Sequence, residues 1–448
     1  MPTHHEDLAH KHTEDESTFV VTQERKASRG SLMMSWWGVC SALFYVVVGV
    51  AMAQAYGTKN ALIGLLITVV AYSLINAFIS SYAAKSGLSV ALFSRVLFGS
   101  KGAALATLIF FATAIYYAVF EGYVIALAAT HKFPALPHWG ACLIIVAFSV
   151  PLIFGSVQHW LDKFNGVLLP LYLLGLVASV IYATSTYGYN EAWLHMGPKN
   201  APPFGWWHVA VYYMGVWVLM MYTFDFARFG KREDVKFHAF ITFGAPFYLV
   251  AFVLSALVGI YLVSTMPKLA TSESAVAFAF IELLGIFGLL FVIITQARIN
   301  TANYFLGATN MQAFFKEVLG LDFSKYIWAV LVGVVVFLLM LVDMFAYLLS
   351  ALAYQGIFVV AWVAIALVHI LSAPNYEQDV RNALSAPAFK AAGLVAWFGA
   401  SLVGILVYHG VLISKDLGAN WYATATFVSA CVLYLLLRKT PNKQPHAL

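Results

Sequence analysis

The chain has 448 residues, of which 62% are hydrophobic and only 10% charged. A soluble domain carries about 25% charged residues, so this composition excludes a water-soluble globular protein and describes an integral membrane protein. The formal net charge of +5 at pH 7 is spread through short loops and forms no basic patch, which argues against a nucleic-acid partner.

The first 31 residues, MPTHHEDLAHKHTEDESTFVVTQERKASRGS, are polar and read as a disordered cytoplasmic tail. They carry His4, His5, His10 and His12, so a metal-binding tail is the sharper alternative. The first apolar run starts too late for a cleavable signal peptide and lacks the short apolar core of one. Cys40, Cys142 and Cys431 all lie inside apolar runs, with neither a disulfide framework nor metal-ligand spacing.

A helix needs about 20 mostly apolar residues to cross a bilayer. Read with that window, the chain offers twelve segments: 32–55, 61–84, 103–130, 139–156, 164–186, 207–227, 237–264, 277–307, 326–342, 344–371, 389–411 and 419–437. Only Asp343 separates the ninth from the tenth, so one long helix plus a re-entrant piece is the alternative there. Placing the N-terminus in the cytoplasm puts nineteen of the 25 Lys and Arg residues inside and five outside, with Arg298 within the membrane. That bias follows the positive-inside rule, so both termini are expected in the cytoplasm of a multi-pass inner-membrane protein. Residues 438–448 form a second cytoplasmic tail.

Small residues mark two segments as candidates for a mid-span break. Segment 1, SWWGVCSALFYVVVGVAMA, clusters Gly38, Cys40, Ser41 and Ala42; segment 6, HVAVYYMGVWVLMMYTFDFARFG, sets Gly215 between aromatics. Transporters build midplane sites from discontinuous helices at matching positions of two inverted repeats, here 32–186 and 207–371, with 389–437 as an added pair. Close helix packing over small residues accounts for the same pattern.

Two full charges lie inside apolar segments: Glu121 in ATLIFFATAIYYAVFEGYVIALAAT and Arg298 in ELLGIFGLLFVIITQARINTANYFLG. A charge at mid-bilayer costs about 2.5–3.5 kcal/mol on insertion scales, so it faces a partner or a watery cavity. Ala114, Tyr117 and Glu121 are spaced i, i+3, i+7 and share one helical face. A carboxyl buried in apolar surroundings favours its protonated form, which makes Glu121 a candidate proton carrier. It equally suits a ring N–H or a cationic substrate, and the plain structural alternative is a protonated Glu bonded to a neighbouring helix. Reading segments 3 and 8 in opposite directions puts Glu121 and Arg298 about 15 Å apart in depth at 1.5 Å per residue, so separate jobs are expected of them. Asn300 and Asn303 share a face of segment 8 as substrate contacts or interhelical glue. Asp225 and Arg228 are expected to cap the end of segment 6, and Glu282 to lie at the interface.

Three stretches carry a family resemblance. AAKSGLSVALFSRVLFGSKG (83–102), TFDFARFGKRED (223–234) and NTANYFLGATN (300–310) resemble the nucleobase:cation symporter-1 family, cytosine permease-like branch. The resemblance extends over about residues 30–440. It implies an all-α fold of about twelve transmembrane helices, in a LeuT-like five-plus-five inverted repeat with helices 1 and 6 broken, and a nucleobase or related ring as substrate. Position by position, the unwound part of helix 1 falls on Gly38 to Phe44, including Ser41 and Ala42. The stacking aromatic of helix 3, usually Trp, is Tyr117, and the Gln that bonds the ring in the cytosine branch is Ala114. The substrate segment of helix 6 falls on Gly215 to Val218, with Trp217 and Phe44 placed to sandwich a ring. The two helix 8 hydroxyls of sodium-coupled members fall on Ala297 and Arg298, or on Arg298 and Ile299 if the alignment slips by one. A guanidinium there repels Na⁺ and offers its five donors to the carbonyls of broken helix 1.

The reading is therefore a secondary active importer of a small flat nitrogenous ring, proton-coupled through Glu121, sodium-independent and without a metal or organic cofactor. Coupling is assigned to Glu121, Arg298, Gly38 and Ser41. A facilitator or exchanger of a cationic amine with Glu121 as counter-ion is the alternative. A membrane-embedded enzyme or a channel is the alternative of another class, although no HExxH motif or nucleophile–base constellation is present.

Overall fold

The structure is a computed structural model that describes residues 19–153, 156–266, 269, 275–343, 345–372 and 375–438. Their regular elements are all helical. The first half holds α1 (Arg29–Trp37), α2 (Leu43–Tyr56), α3 (Thr58–Ser86), α4 (Val90–Phe98), α5 (Ser100–Lys132), α6 (His138–Leu152) and α7 (Ser156–Tyr187). The second holds α8 (Gly205–Met214), α9 (Val218–Ala227), α10 (Arg232–Thr265), α11 (Ala275–Leu284), α12 (Ile286–Phe314), α13 (Lys325–Met340) and α14 (Leu348–Leu371). The short amphipathic α15 (Tyr376–Leu384) precedes α16 (Ala391–Tyr408) and α17 (Lys415–Leu437).

Eight of these helices are long and apolar enough to cross a membrane, and the bent pairs α1–α2 and α8–α9 supply two further spans. The shorter apolar helices α6 and α13 stand at segments 4 and 9, so the described helices occupy all twelve predicted places. Segments 9 and 10 are two helices, with a turn at Leu341–Val342 before Asp343.

The matched bends are the feature that organises the molecule. α1 and α2 meet at 47°, α8 and α9 at 46°. In the first, Gly38–Ser41 tightens into a 3₁₀ turn and Ala42 is extended, with φ −68° and ψ 121°. The Ser41 hydroxyl donates to the Gly38 carbonyl at 2.8 Å and satisfies one group that the broken ladder frees. In the second, Gly215 has no side chain because α14 passes too close: a Cβ there would sit 2.4 Å from the Leu352 carbonyl oxygen.

Segment 8 departs from its predicted form. The expected span 277–307 is two helices, α11 and α12, divided by Gly285 at φ +59°, a conformation that glycine adopts without steric cost. α11 folds back beside the start of α12, where a Cβ on Gly288 would overlap the Phe280 carbonyl. Hydropathy could not separate them because both are apolar.

The chain joins the bundle before segment 1. Ser28 caps α1 by accepting from Ser31 N at 3.3 Å. Upstream, Val21 N donates to Gly87 O at 3.0 Å and Ala27 N to Phe229 O at 2.8 Å, so Phe19–Ser28 is a strap across the ends of α3 and α9. Of the expected tails, His4, His5, His10, His12 and residues 439–448 lie outside the described residues.

Candidate substrate site at the two helix breaks

A cavity of about 240 Å³ opens between the breaks. The first broken helix contributes Val39, Ala42, Phe44 and Tyr45, the second Val216, Val218, Leu219, Tyr222, Asp225 and Phe226. α5 adds Tyr117 and Glu121, and α12 adds Ile299, Thr301, Ala302, Asn303 and Leu306. The walls are mostly apolar and aromatic, with a few converging polar groups, the usual make-up of a small-molecule site.

Of the residues expected at the substrate, Ala42, Phe44, Tyr117, Glu121 and Asn303 line this cavity. Phe44 and Tyr117 meet edge to face, with centroids 5.0 Å apart and planes at 81°. Ala114, Gly215, Trp217 and Asn300 lie outside the lining. Ala114 faces Gly307 of α12, and Gly215 is pressed against α14. Trp217 turns its ring to Tyr72 of α3 and Phe427 of α17, at 6.4 and 5.8 Å, so the expected Phe44–Trp217 sandwich is not formed. The reason is local: Trp217 lies at the start of α9, where the bend directs it toward α3 and α17. Asn300 is buried beside Gly122 with both amide atoms lacking a protein partner among the described residues. Gly38 and Ser41 bond to each other within the 3₁₀ turn.

Glu121 is 1% exposed and does have a partner, one the sequence reading did not single out. Gln296 of α12 reaches across, and its amide has two orientations of unequal fit. In one, Nε2 donates to Oε2 of Glu121 while Oε1 accepts from Leu43 N at 3.2 Å and from Thr295 Oγ1 at 3.0 Å. In the other, Oε1 faces the Glu121 carboxylate and Nε2, while donating to Thr295 Oγ1 at 3.0 Å, sets a donor toward Leu43 N, so an ionised Glu121 excludes it. Leu43 is the first residue of α2, so its N–H is one of those the break leaves without a helical partner. A second glutamine serves the other break: Gln355 Nε2 of α14 donates to the Gly215 carbonyl at 3.0 Å and to Tyr117 Oη at 3.3 Å. Both glutamines therefore tie a broken helix to α5, four residues apart. Each is an amide inside a predicted membrane span (VIITQARIN, ALAYQGIFV), Gln355 the lone one in its run and Gln296 two residues before Arg298, and that signal was available in the sequence.

The Glu121–Gln296 contact corrects the depth estimate. Glu121 lies eleven residues from the Lys132 end of α5, and Arg298 twelve residues from the Ile286 end of α12. Those ends are on the same side, because His131 bonds Glu282 of α11 at 2.7 Å. Both residues are thus about 16–18 Å from that side at 1.5 Å per residue. The 15 Å offset came from starting the eighth helix at 277. Arg298 is on α12, but its side chain lies outside the described residues.

Asp225 behaves differently from expectation too. Its carboxylate accepts from Val90 N at 3.1 Å, so it caps α4 and not its own helix. Arg228 does hold the end of α9, donating to Asp225 O at 3.3 Å, and it also donates to Phe19 O of the strap at 3.2 Å. Lys26 donates to Arg228 O at 2.6 Å and to Ala84 O at 2.9 Å. Its partial burial, and then the neighbouring Arg232 and Arg228, lower its pKa to about 8. A belt of basic side chains and the strap thus lies next to Asp225, at the end of the second broken helix.

No family model matches the chain, and no curated protein does. Solved structures do match. Mhp1, a nucleobase-cation-symport-1 family transporter in a closed conformation with bromovinylhydantoin bound, superposes with a TM-score of 0.70 at 15% identity over 94% of each chain. The fold is that of a nucleobase-cation-symport-1 transporter. It is shared more widely: a Na⁺-coupled sialic acid symporter matches with a TM-score of 0.62 at 12% identity over 96% of this chain and 94% of that one. A manganese transporter from Eremococcus coleocola matches with a TM-score of 0.53 at 12% identity over 95% and 99%. The chain is therefore a multi-pass membrane protein of LeuT-like fold, with both broken helices where that fold has them.

Proposed function

We propose that the protein is a secondary active transporter of the nucleobase:cation symporter type that imports a small flat nitrogenous ring. In this reading it couples transport to protons through Glu121 and does not use sodium. The observation that carries this is the cavity itself. It sits at both helix breaks, has aromatic walls, and presents Glu121 beside two groups without a protein partner among the described residues, Asn303 Nδ2 and Tyr222 Oη. A planar ring with N–H and C=O groups on one edge complements that set. Sodium independence is supported by the link between α12 and the α2 break, which a side-chain amide makes.

A thermal-shift screen of purines, pyrimidines, hydantoins, vitamins and amines on the purified protein identifies the ligand, because binding the folded state raises its apparent stability. Uptake of the hit into proteoliposomes then tests coupling. Glu121→Gln is expected to abolish pH-dependent accumulation; unchanged pH dependence would remove Glu121 from that role. Replacing Na⁺ with choline is expected to leave wild-type uptake intact, and a strong sodium requirement would overturn the reading of the Arg298 neighbourhood. One observation favours a second reading, a carrier of cationic amines. The cavity lining includes two carboxyl residues, Glu121 and Asp225, and no Lys, Arg or His among its described residues. The amines in the screen decide between the two.

A further inference from the structure

We propose that Gln296 is a positioning residue that reads the protonation state of Glu121 and passes it to the break in the first helix by turning its amide over. The inference rests on the proton-coupled reading of the site and goes beyond it by naming the part that moves.

A side-chain amide is a donor at one end and an acceptor at the other, so it must match its neighbours. An ionised Glu121 only accepts. It selects the orientation in which Gln296 Nε2 donates to it, and Gln296 Oε1 is then left for Leu43 N at 3.2 Å and Thr295 Oγ1 at 3.0 Å. A Glu121 that has taken a proton from the aqueous phase on Oε2 donates instead. It selects the reversed amide, in which Oε1 accepts from Glu121 and the Nε2 donor takes the place of Oε1 opposite Leu43 N. Thr295 makes the turn possible because its hydroxyl serves as donor in one arrangement and acceptor in the other. In the second arrangement the hydroxyl keeps its own proton for Phe291 O, to which it donates at 2.7 Å. Proton uptake thus turns the donor end of the amide, in place of its acceptor end, toward Leu43 N. The N-terminus of α2 is held more weakly and the break is freer to move.

Other titratable groups stand near. Tyr45 of α2, Tyr116 and Tyr117 of α5 and Tyr172 of α7 all interact with Glu121, and Asp225 of α9 shares the cavity. Arg298 is two residues further along α12. Tyrosines ordinarily titrate near about 10, above the range of the test. Asp225 and Arg298 are separated from Glu121 by the variants below.

Cys40 provides the readout. It lies in the 3₁₀ turn of the break, is fully buried, and donates weakly to Phe247 O at 3.9 Å. The experiment measures its rate of reaction with 4,4′-dithiodipyridine in the full-length protein in liposomes between pH 5 and 8. The background carries Cys142→Ala and Cys431→Ala, and each rate is normalised to the unfolded protein at the same pH. The rate is expected to rise as pH falls, by at least about fivefold, the lower end of an ordinary coupling between two sites. Glu121→Gln should flatten the profile, and so should Gln296→Met, which keeps the length but removes the amide. Thr295→Val keeps the amide and removes its partner chiefly in the protonated arrangement, so the step should move to lower pH. A Gln296→Met protein that elutes as a monodisperse species and keeps the wild-type step overturns the relay while leaving Glu121 as the coupling group. An identical step in wild type and Glu121→Gln overturns the proton-coupled reading itself. A flat wild-type profile, or a Thr295→Val step that stays in place, overturns the relay.

Discussion

Gly215→Ala tests whether the second broken helix is held where the structure places it. The added Cβ would lie 2.4 Å from the Leu352 carbonyl oxygen and 3.1 Å from its carbon, both on the α14 backbone, and 2.9 Å from Tyr212 O. Backbone cannot rotate away as a flexible side chain would, so α14 and the α8–α9 break must separate by several tenths of an ångström or more. Overpacking of this kind costs about 1–3 kcal/mol. The same displacement lengthens the Gln355–Gly215 O bond from 3.0 Å, and losing that bond adds roughly 0.5–1.5 kcal/mol. The expected total is about 1.5–4.5 kcal/mol, read as a clear fall in the thermal unfolding midpoint in detergent, together with loss of ligand-induced stabilisation. Gly30→Ala is the control, because a Cβ there meets nothing within 4 Å in α1. Alanine at a helical position is neutral or stabilising by up to about 1 kcal/mol relative to glycine. If Gly215→Ala melts with the wild type and Gly30→Ala, then α14 does not press on the break and the geometry of this wall of the site is wrong.

Asn303→Ala should separate binding from stability. The Asn303 amide nitrogen has no protein partner among the described residues, so its loss should leave the melting midpoint unchanged. Affinity for the ligand found in the screen should weaken about tenfold, the worth of one hydrogen bond at roughly 1.4 kcal/mol; isothermal titration of both proteins checks this. The strap should respond to alkaline pH. Lys26 has a folded-state pKa of about 8 against an ordinary 10.5, so between those values the detached strap binds more protons than the docked one. Docking should therefore strengthen as pH rises from about 8 to 10.5, seen as slower amide exchange at Val21 and Ala27 after correction for intrinsic rates. Lys26→Met should lose that dependence, and a docking strength that falls over this window would refute the assignment.

Much of the architecture was legible because membrane insertion imposes its own grammar. Apolar run lengths marked the twelve places, and Gly38–Ala42 and Gly215 marked the two breaks. Glu121 identified itself by being charged where charge is costly. The errors share a cause as well. The division of α11 from α12 at Gly285 leaves no trace in hydropathy, and misplacing that start by nine residues shifted Arg298 relative to Glu121. Trp217 was assigned to the site because it follows a glycine break, yet its direction depends on how α9 leaves that break.

The sequence alone determined that this is a helical membrane protein with two interrupted spans and a carboxyl in its interior, because those properties follow from composition and local order. Only the tertiary structure decided which groups meet. The pairing of Gln296 with Glu121 and Leu43 N, of Gly215 O with Gln355, and of Asp225 with Val90 N each joins elements far apart in the chain. Their partners are set by helix packing, which depends on shape complementarity across several helices at once. No single stretch of sequence carries that information.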